Sequence, residues 1–278
     1  MIRIVEVGPR DGLQHDQRMI TTEHKIALVN ALSVSGVSEI EVTAFVSEKW
    51  IPQLADAEAV FAGITRNPNI IYSALVPNEQ GMDRALAANV DKISVFTAAT
   101  NTFNRKNINT DIAGSLLRFA PVIKTAKIFG KSIRGYVSAA FWCPYEGYVK
   151  PEQTVSVVAE LLDLGVDEIS IGDTIGKASP AEVSALILAL KDVVASDRVA
   201  MHFHDTYGRA AANVRISLAL GIVAFDSSVG GLGGCPYAPG APGNIATSTL
   251  VEIIRDAGFS CDVKLDALDQ ALEIIRND

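Results

Sequence analysis

The run Leu164-Gly165-Val166-Asp167-Glu168-Ile169-Ser170-Ile171-Gly172-Asp173 decides the fold. Ahead of it, Glu152 to Leu164 repeats apolar residues at three- and four-residue spacing, which predicts a helix. Gly165 then supplies the left-handed cap that ends a helix, and Glu168 to Ile171 reads as a β-strand. Pro180 to Val194 is helical again. The same turn chemistry recurs at Ser35-Gly36-Val37 and Leu220-Gly221-Ile222.

Outward from this unit, β-rich runs occur at Ile2 to Val7, Val37 to Val42, Ile70 to Leu75, Lys92 to Phe96, Ile133 to Ala139, Val199 to His204 and Val223 to Ser227, making eight strands in all. Helical patterns such as Glu23 to Ser35 and Glu79 to Ala88 separate them. Strand and helix in alternation demand parallel strands with crossover helices, and eight such units close into an α/β (β/α)8 TIM barrel. Leu265 to Ile275 adds a C-terminal helix. A doubly wound sheet is the rival, but Gly8-Pro9-Arg10-Asp11-Gly12 follows the first strand, not a Gly-x-Gly-x-x-Gly. With no linker in view, residues 1–278 are expected to form one barrel domain.

The chain has 278 residues, 49% of them apolar and 20% charged, as a globular enzyme has. A net charge of −8 argues against nucleic-acid binding, and no apolar run reaches the ~18 residues of a membrane helix. No signal or transit segment precedes the first strand, so a cytoplasmic location is expected. Cys143, Cys235 and Cys261 are odd in number and unrelated in spacing, which indicates neither a disulfide framework nor a cysteine zinc site.

In a barrel of this kind chemistry sits at the C-terminal ends of the strands. There the sequence offers Arg10 and Asp11, Glu41, Asp173, the run His202-Phe203-His204-Asp205, and Asn244. His202 and His204 are two apart on a strand and share a face, as metal ligands should, although a pair of ordinary hydrogen-bonded histidines has the same spacing. Asp11 adds a carboxylate and Asn244 an amide oxygen, a mixed set suited to Mg²⁺ or Mn²⁺. Arg10 would clamp a developing enolate, or else simply pair with Glu6, Asp11 or Glu41. Asp173 is either a general acid/base or the cap of the next turn.

Ser228-Val229-Gly230-Gly231-Leu232-Gly233-Gly234-Cys235-Pro236 crowds four glycines around one cysteine. Such a loop suits close approach to a ligand. Metal-bound histidines cannot serve Cys235 as a base, so proton transfer is favoured over nucleophilic attack.

At these residues the chain resembles the hydroxymethylglutaryl-CoA lyase family of metal-dependent (β/α)8-barrel lyases. The resemblance runs through Val7 to Gln14, Phe45-Val46-Ser47 with Lys49-Trp50, Phe103 to Asn109, Cys143 to Gly147, Gly172 to Gly176, His202 to Thr206 and the glycine-rich loop. It implies cleavage of 3-hydroxy-3-methylglutaryl-CoA to acetyl-CoA and acetoacetate with a divalent cation, Mg²⁺ or Mn²⁺, the chemistry of leucine degradation and ketone body formation. It also implies Asp11, His202, His204 and Asn244 as metal ligands; Arg10, Glu41, Asp173 and Cys235 as catalytic residues; and Arg10 and Gln14 in substrate binding. The partner is then an acyl-CoA substrate, with neither nucleic acid nor membrane, and a homodimer is the assembly admitted for such a barrel.

The chain departs from the pattern at Ser248-Thr249, where a Glu-Asp pair is usual, at Ala99-Thr100-Asn101 and at Glu48. None of these touches the inferred metal set; they leave open a larger 3-hydroxy-3-alkylglutaryl-CoA as substrate. A Claisen-type synthase of the isopropylmalate or homocitrate kind is the other enzyme alternative, though those chains generally carry a long C-terminal extension. A non-catalytic ligand-binding barrel is the reading from a different class.

Overall fold

The strands alternate apolar and polar residues, and the two sets face different surroundings. A computed structural model describes residues 1–234 and 242–276. It contains β1 (Arg3–Glu6), β2 (Glu39–Ala44), β3 (Ile71–Leu75), β4 (Lys92–Ala98), β5 (Ser132–Ser138), β6 (Trp142–Cys143), β7 (Gly147–Tyr148), β8 (Glu168–Asp173), β9 (Val199–Phe203) and β10 (Ala224–Ser227). Eight of them close a barrel in the order β1-β10-β9-β8-β5-β4-β3-β2. All eight barrel pairings are parallel, while β6 and β7 form a small antiparallel hairpin.

Around the barrel run α1 (Thr22–Leu32), α2 (Ala57–Gly63), α3 (Glu79–Ala87), α4 (Asn101–Ile108), α5 (Ile112–Ile128), α6 (Pro151–Leu164), α7 (Pro180–Leu190), α8 (Ala210–Ala219) and α9 (Thr247–Asp256). The (β/α)8 barrel read from the sequence is therefore the architecture, and the extra C-terminal helix, α10 (Leu265–Arg276), packs on α1. Gly36, Gly165 and Gly221 take the left-handed conformation expected of helix caps, with φ of 87°, 100° and 92°. α7 opens on a capping box in which the Ser179 hydroxyl accepts from Glu182 N and the Glu182 carboxylate accepts from Ser179 N. Helix ends differ most from expectation: α1 stops at Leu32, where the Ser33 hydroxyl donates back to Val29 O, and α7 stops at Leu190.

Ile93 and Val95 on β4, Ile133 and Val137 on β5, Ile169 and Ile171 on β8 and Val199, Met201 and Phe203 on β9 are buried in the apolar shell shared with the helices. Their alternate neighbours include the polar Lys92, Ser94, Arg134, Glu168, Ser170 and His202. Arg134 on β5 donates to Asp226 on β10 at 2.6 Å, although two strands separate β5 from β10 in the barrel order. Lys92 on β4 likewise reaches Glu39 on β2 at 2.8 Å across the intervening β3. These pairs cross the barrel axis, so the axis is lined with charge where branched apolar layers are usual.

Candidate metal centre and active face

At the C-terminal mouth of the barrel β1 ends at Glu6, and the chain turns sharply. Val7 O accepts backbone N–H bonds from Arg10, Asp11 and Gly12 at 3.1, 2.7 and 3.3 Å. Pro9, whose missing N–H costs nothing at the start of a helical turn, stands in its first residues. The turn brings Arg10 and Asp11 to the axis. From β9 comes His202, and from just beyond it His204, which forms an isolated bridge with Asn244. The shared face expected from their spacing is observed, with ring centroids 5.4 Å apart.

One ligand atom each from Asp11, His202 and His204 lie within 4.8 Å of one another. His202 Nε2 and Asp11 Oδ2 are 4.0 Å apart, too far for a hydrogen bond. Asn244 reaches the same carboxylate through its amide nitrogen, donating to Asp11 Oδ2 at 2.8 Å and to Leu232 O at 3.1 Å. Arg10 joins Glu41 at 2.5 Å and Asp11 at 2.8 Å, so of the three ion-pair partners considered from sequence, two are realised. Glu6 is not the third. One guanidinium thus faces two carboxylates, and the excess negative charge beside two imidazoles is the donor set a divalent cation takes.

Burial works against charge at every one of these groups. It pushes the Asp11 carboxyl up, but Arg10 and the two histidines outweigh it and hold that carboxyl below its ordinary range. At Glu41 burial wins and the carboxyl is raised despite Arg10. Glu41 is wholly inaccessible, and its Oε1 has no hydrogen-bond partner among the described residues. Arg10 also lies over the Tyr136 ring, 5.4 Å from its centroid.

Asp173 ends β8, buried, with its two oxygens accepting from Lys177 N and Ala178 N at 3.0 Å each. That is the capping role; burial also pushes its carboxyl up to about 7, in the range a proton carrier needs. Gln14 follows Asp11 in the next turn and is partly buried. Cys235 lies outside the described residues. The glycine run leading to it begins with Gly230 at φ 62°, where a Cβ would stand 2.4 Å from Leu272 of α10.

Two buried carboxylates matter here that the sequence reading did not single out for the site. Glu6 accepts from Gly8 N at 2.9 Å, Val229 N at 2.8 Å and the Thr247 hydroxyl at 2.6 Å. It thereby ties together the Arg10-Asp11 turn, the glycine run and the segment after Asn244. Asp226 touches His202 from inside the barrel. Their signal in the sequence is slight: an acidic residue beside apolar ones in a short strand.

With the geometry in place, the comparisons with known proteins agree. The family model described as HMGL-like matches residues 1–275. The chain belongs to the HMGL-like family. Within it, a 3-hydroxy-3-isohexenylglutaryl-CoA/hydroxy-methylglutaryl-CoA lyase of Pseudomonas aeruginosa is 46% identical over 97% of this chain and 90% of its own length. A cytoplasmic 3-hydroxy-3-methylglutaryl-CoA lyase of Danio rerio is 45% identical over 99% of this chain and 82% of that protein. The crystal structure of the HMG-CoA lyase from Brucella melitensis superposes with a TM-score of 0.97 at 47% identity, covering 99% of this chain and 98% of the other. Among the described residues of this HMGL-like chain, no helix is long and apolar enough to cross a membrane.

Proposed function

We propose that this protein is a lyase that cleaves 3-hydroxy-3-methylglutaryl-CoA to acetyl-CoA and acetoacetate. The observation that carries this reading is the 46% identity to a lyase of that name over 97% of the chain. The grouping of Asp11, His202 and His204 at the mouth of the barrel supports it. Those three residues, with Asn244 beside them, would hold a divalent cation, Mg²⁺ or Mn²⁺, which when bound polarises the substrate's hydroxyl and carboxylate oxygens.

The rest falls to the chain's own groups. The tertiary hydroxyl gives up its proton, the adjacent carbon–carbon bond breaks to leave a ketone, and the departing thioester enolate takes a proton at carbon. Arg10, held by Glu41 and Asp11, is placed to stabilise the negative charge that develops on the enolate oxygen. Asp173 and Cys235 are the proposed proton carriers. Gln14 and Arg10 are the proposed substrate contacts, with the acyl-CoA entering at the C-terminal mouth.

The test is a panel of 3-hydroxy-3-alkylglutaryl-CoA thioesters assayed after chelation and with Mg²⁺ or Mn²⁺ restored. Metal-dependent release of acetyl-CoA from the 3-methyl compound is expected. The name of the Pseudomonas relative makes the longer alkyl compounds the second arm, and preference for them would move the substrate to that class. No turnover of any member would overturn the proposal.

A further inference from the structure

We propose that Asp226 is a positioning residue for the candidate metal centre: its carboxylate takes the Nδ1–H of His202 and so turns the bare Nε2 toward Asp11 and His204. The inference rests on the metal-binding reading of those three residues. His202 has two ring nitrogens with opposite surroundings. Nδ1 lies 3.2 Å from Asp226 Oδ2, whereas Nε2 faces Asp11 Oδ2 at 4.0 Å. A neutral imidazole carries one proton, and which nitrogen keeps it decides whether a lone pair or an N–H points at the cation.

Everything around Asp226 makes it an acceptor. The Ser170 hydroxyl donates to its Oδ2 at 2.7 Å and Arg134 Nη2 to its Oδ1 at 2.6 Å. Asp226 and Arg134 are both buried, and Asp226 stands directly beside His202 in the β9–β10 register. The carboxylate is held in place, since Arg134 is itself paired at 3.3 Å with Glu168, its register partner on the neighbouring strand β8. On the other flank the Tyr136 ring meets the His202 ring edge-on at 6.5 Å and 89°, which limits rotation of the imidazole. A carboxylate behind a ligating histidine fixes both tautomer and ring orientation, and losing such a partner typically costs 10- to 100-fold in metal affinity.

The experiment titrates Mn²⁺ into Asp226→Asn, His202→Ala and unaltered protein, reading free Mn²⁺ by electron paramagnetic resonance with folding checked by thermal melting. Asp226→Asn is expected to weaken binding about 10- to 100-fold while remaining folded. If His202→Ala loses binding but Asp226→Asn stays within about twofold of the unaltered protein, the role of Asp226 is overturned and the metal reading stands. If His202→Ala binds Mn²⁺ unchanged, the metal reading itself fails and the inference with it. Because Asp226→Asn removes a counter-charge from buried Arg134, a measurement on the unaltered chain accompanies it. The chain has four histidines, and ¹⁵N imidazole spectra of the metal-free protein at pH 8, with His202 assigned by its absence in His202→Ala, are expected to show the Nδ1–H tautomer. The Nε2–H tautomer would overturn the proposal.

Discussion

At the N-terminal end of the barrel axis Lys92 lies 2.8 Å from Glu39 and 3.1 Å from Glu168, and Arg3 reaches Glu168 at 3.2 Å. At the C-terminal end Arg10 is set between Glu41 and Asp11, and His202 and Asp11 stand 4.0 Å apart. Both ends bury charge within the same cylinder of strands. One end matches its charges by ion pairs, and the other keeps an excess carboxylate beside two imidazoles. Burying a charge is costly unless it is paired, so the mismatch at the mouth is what the proposed cation would offset.

This contrast can be broken from either side. The largest effect is expected from His204→Ala: turnover should fall about ten-thousandfold, about 5 kcal/mol of barrier, together with Mn²⁺ affinity. Melting of the metal-free protein should barely change. If the variant keeps both activity and affinity, that histidine is no ligand. At the other end, Lys92→Met takes from buried Glu39 its ion-pair partner, while Glu168 keeps Arg3 and Arg134, and should cost about 3–5 kcal/mol in denaturant unfolding, with the Mn²⁺ affinity of the folded fraction unchanged. A loss of affinity without a loss of stability would show that the two ends are not separate.

Glu6 gives the smallest and most selective test. Burial pushes its carboxyl from 4.5 up to about 7, so the folded chain holds that proton to higher pH than the unfolded chain does. Its contribution is therefore complete below pH 4.5 and is lost as the pH rises through 7, a span worth about 3 kcal/mol. Asp173, raised to about 7 by its own burial, adds a slope of the same sign. Glu6→Gln mimics the protonated carboxyl and should flatten the decline of melting temperature between pH 4.5 and 7. Parallel curves for variant and parent would refute the assignment.

The strands and their order were legible because Gly36, Gly165 and Gly221 punctuate helices before apolar runs. So were Arg10 and Asp11, a charged pair straight after the first strand, and His202 and His204, whose spacing of two matches the period of a strand. Asp226 and Arg134 were not. They belong to strands that are not neighbours in the barrel and meet only across its axis, and no spacing along the chain encodes that distance. At Asp173 the residue type left capping and proton transfer equally open, and the two backbone N–H bonds establish the first.

The hydrogen bonds of Glu6 join residues 223 and 241 positions apart along the chain. Contacts of such range repay their loop-closure entropy only late in folding. While the chain is still emerging from the ribosome, the turn with Arg10 and Asp11 is made long before Val229 and Thr247, the partners of Glu6. The mouth is therefore expected to close only after β10 and α9 are made, and a nascent chain lacking β10 would display that turn with Arg10 already on Glu41 of β2 but Glu6 still without Val229 and Thr247.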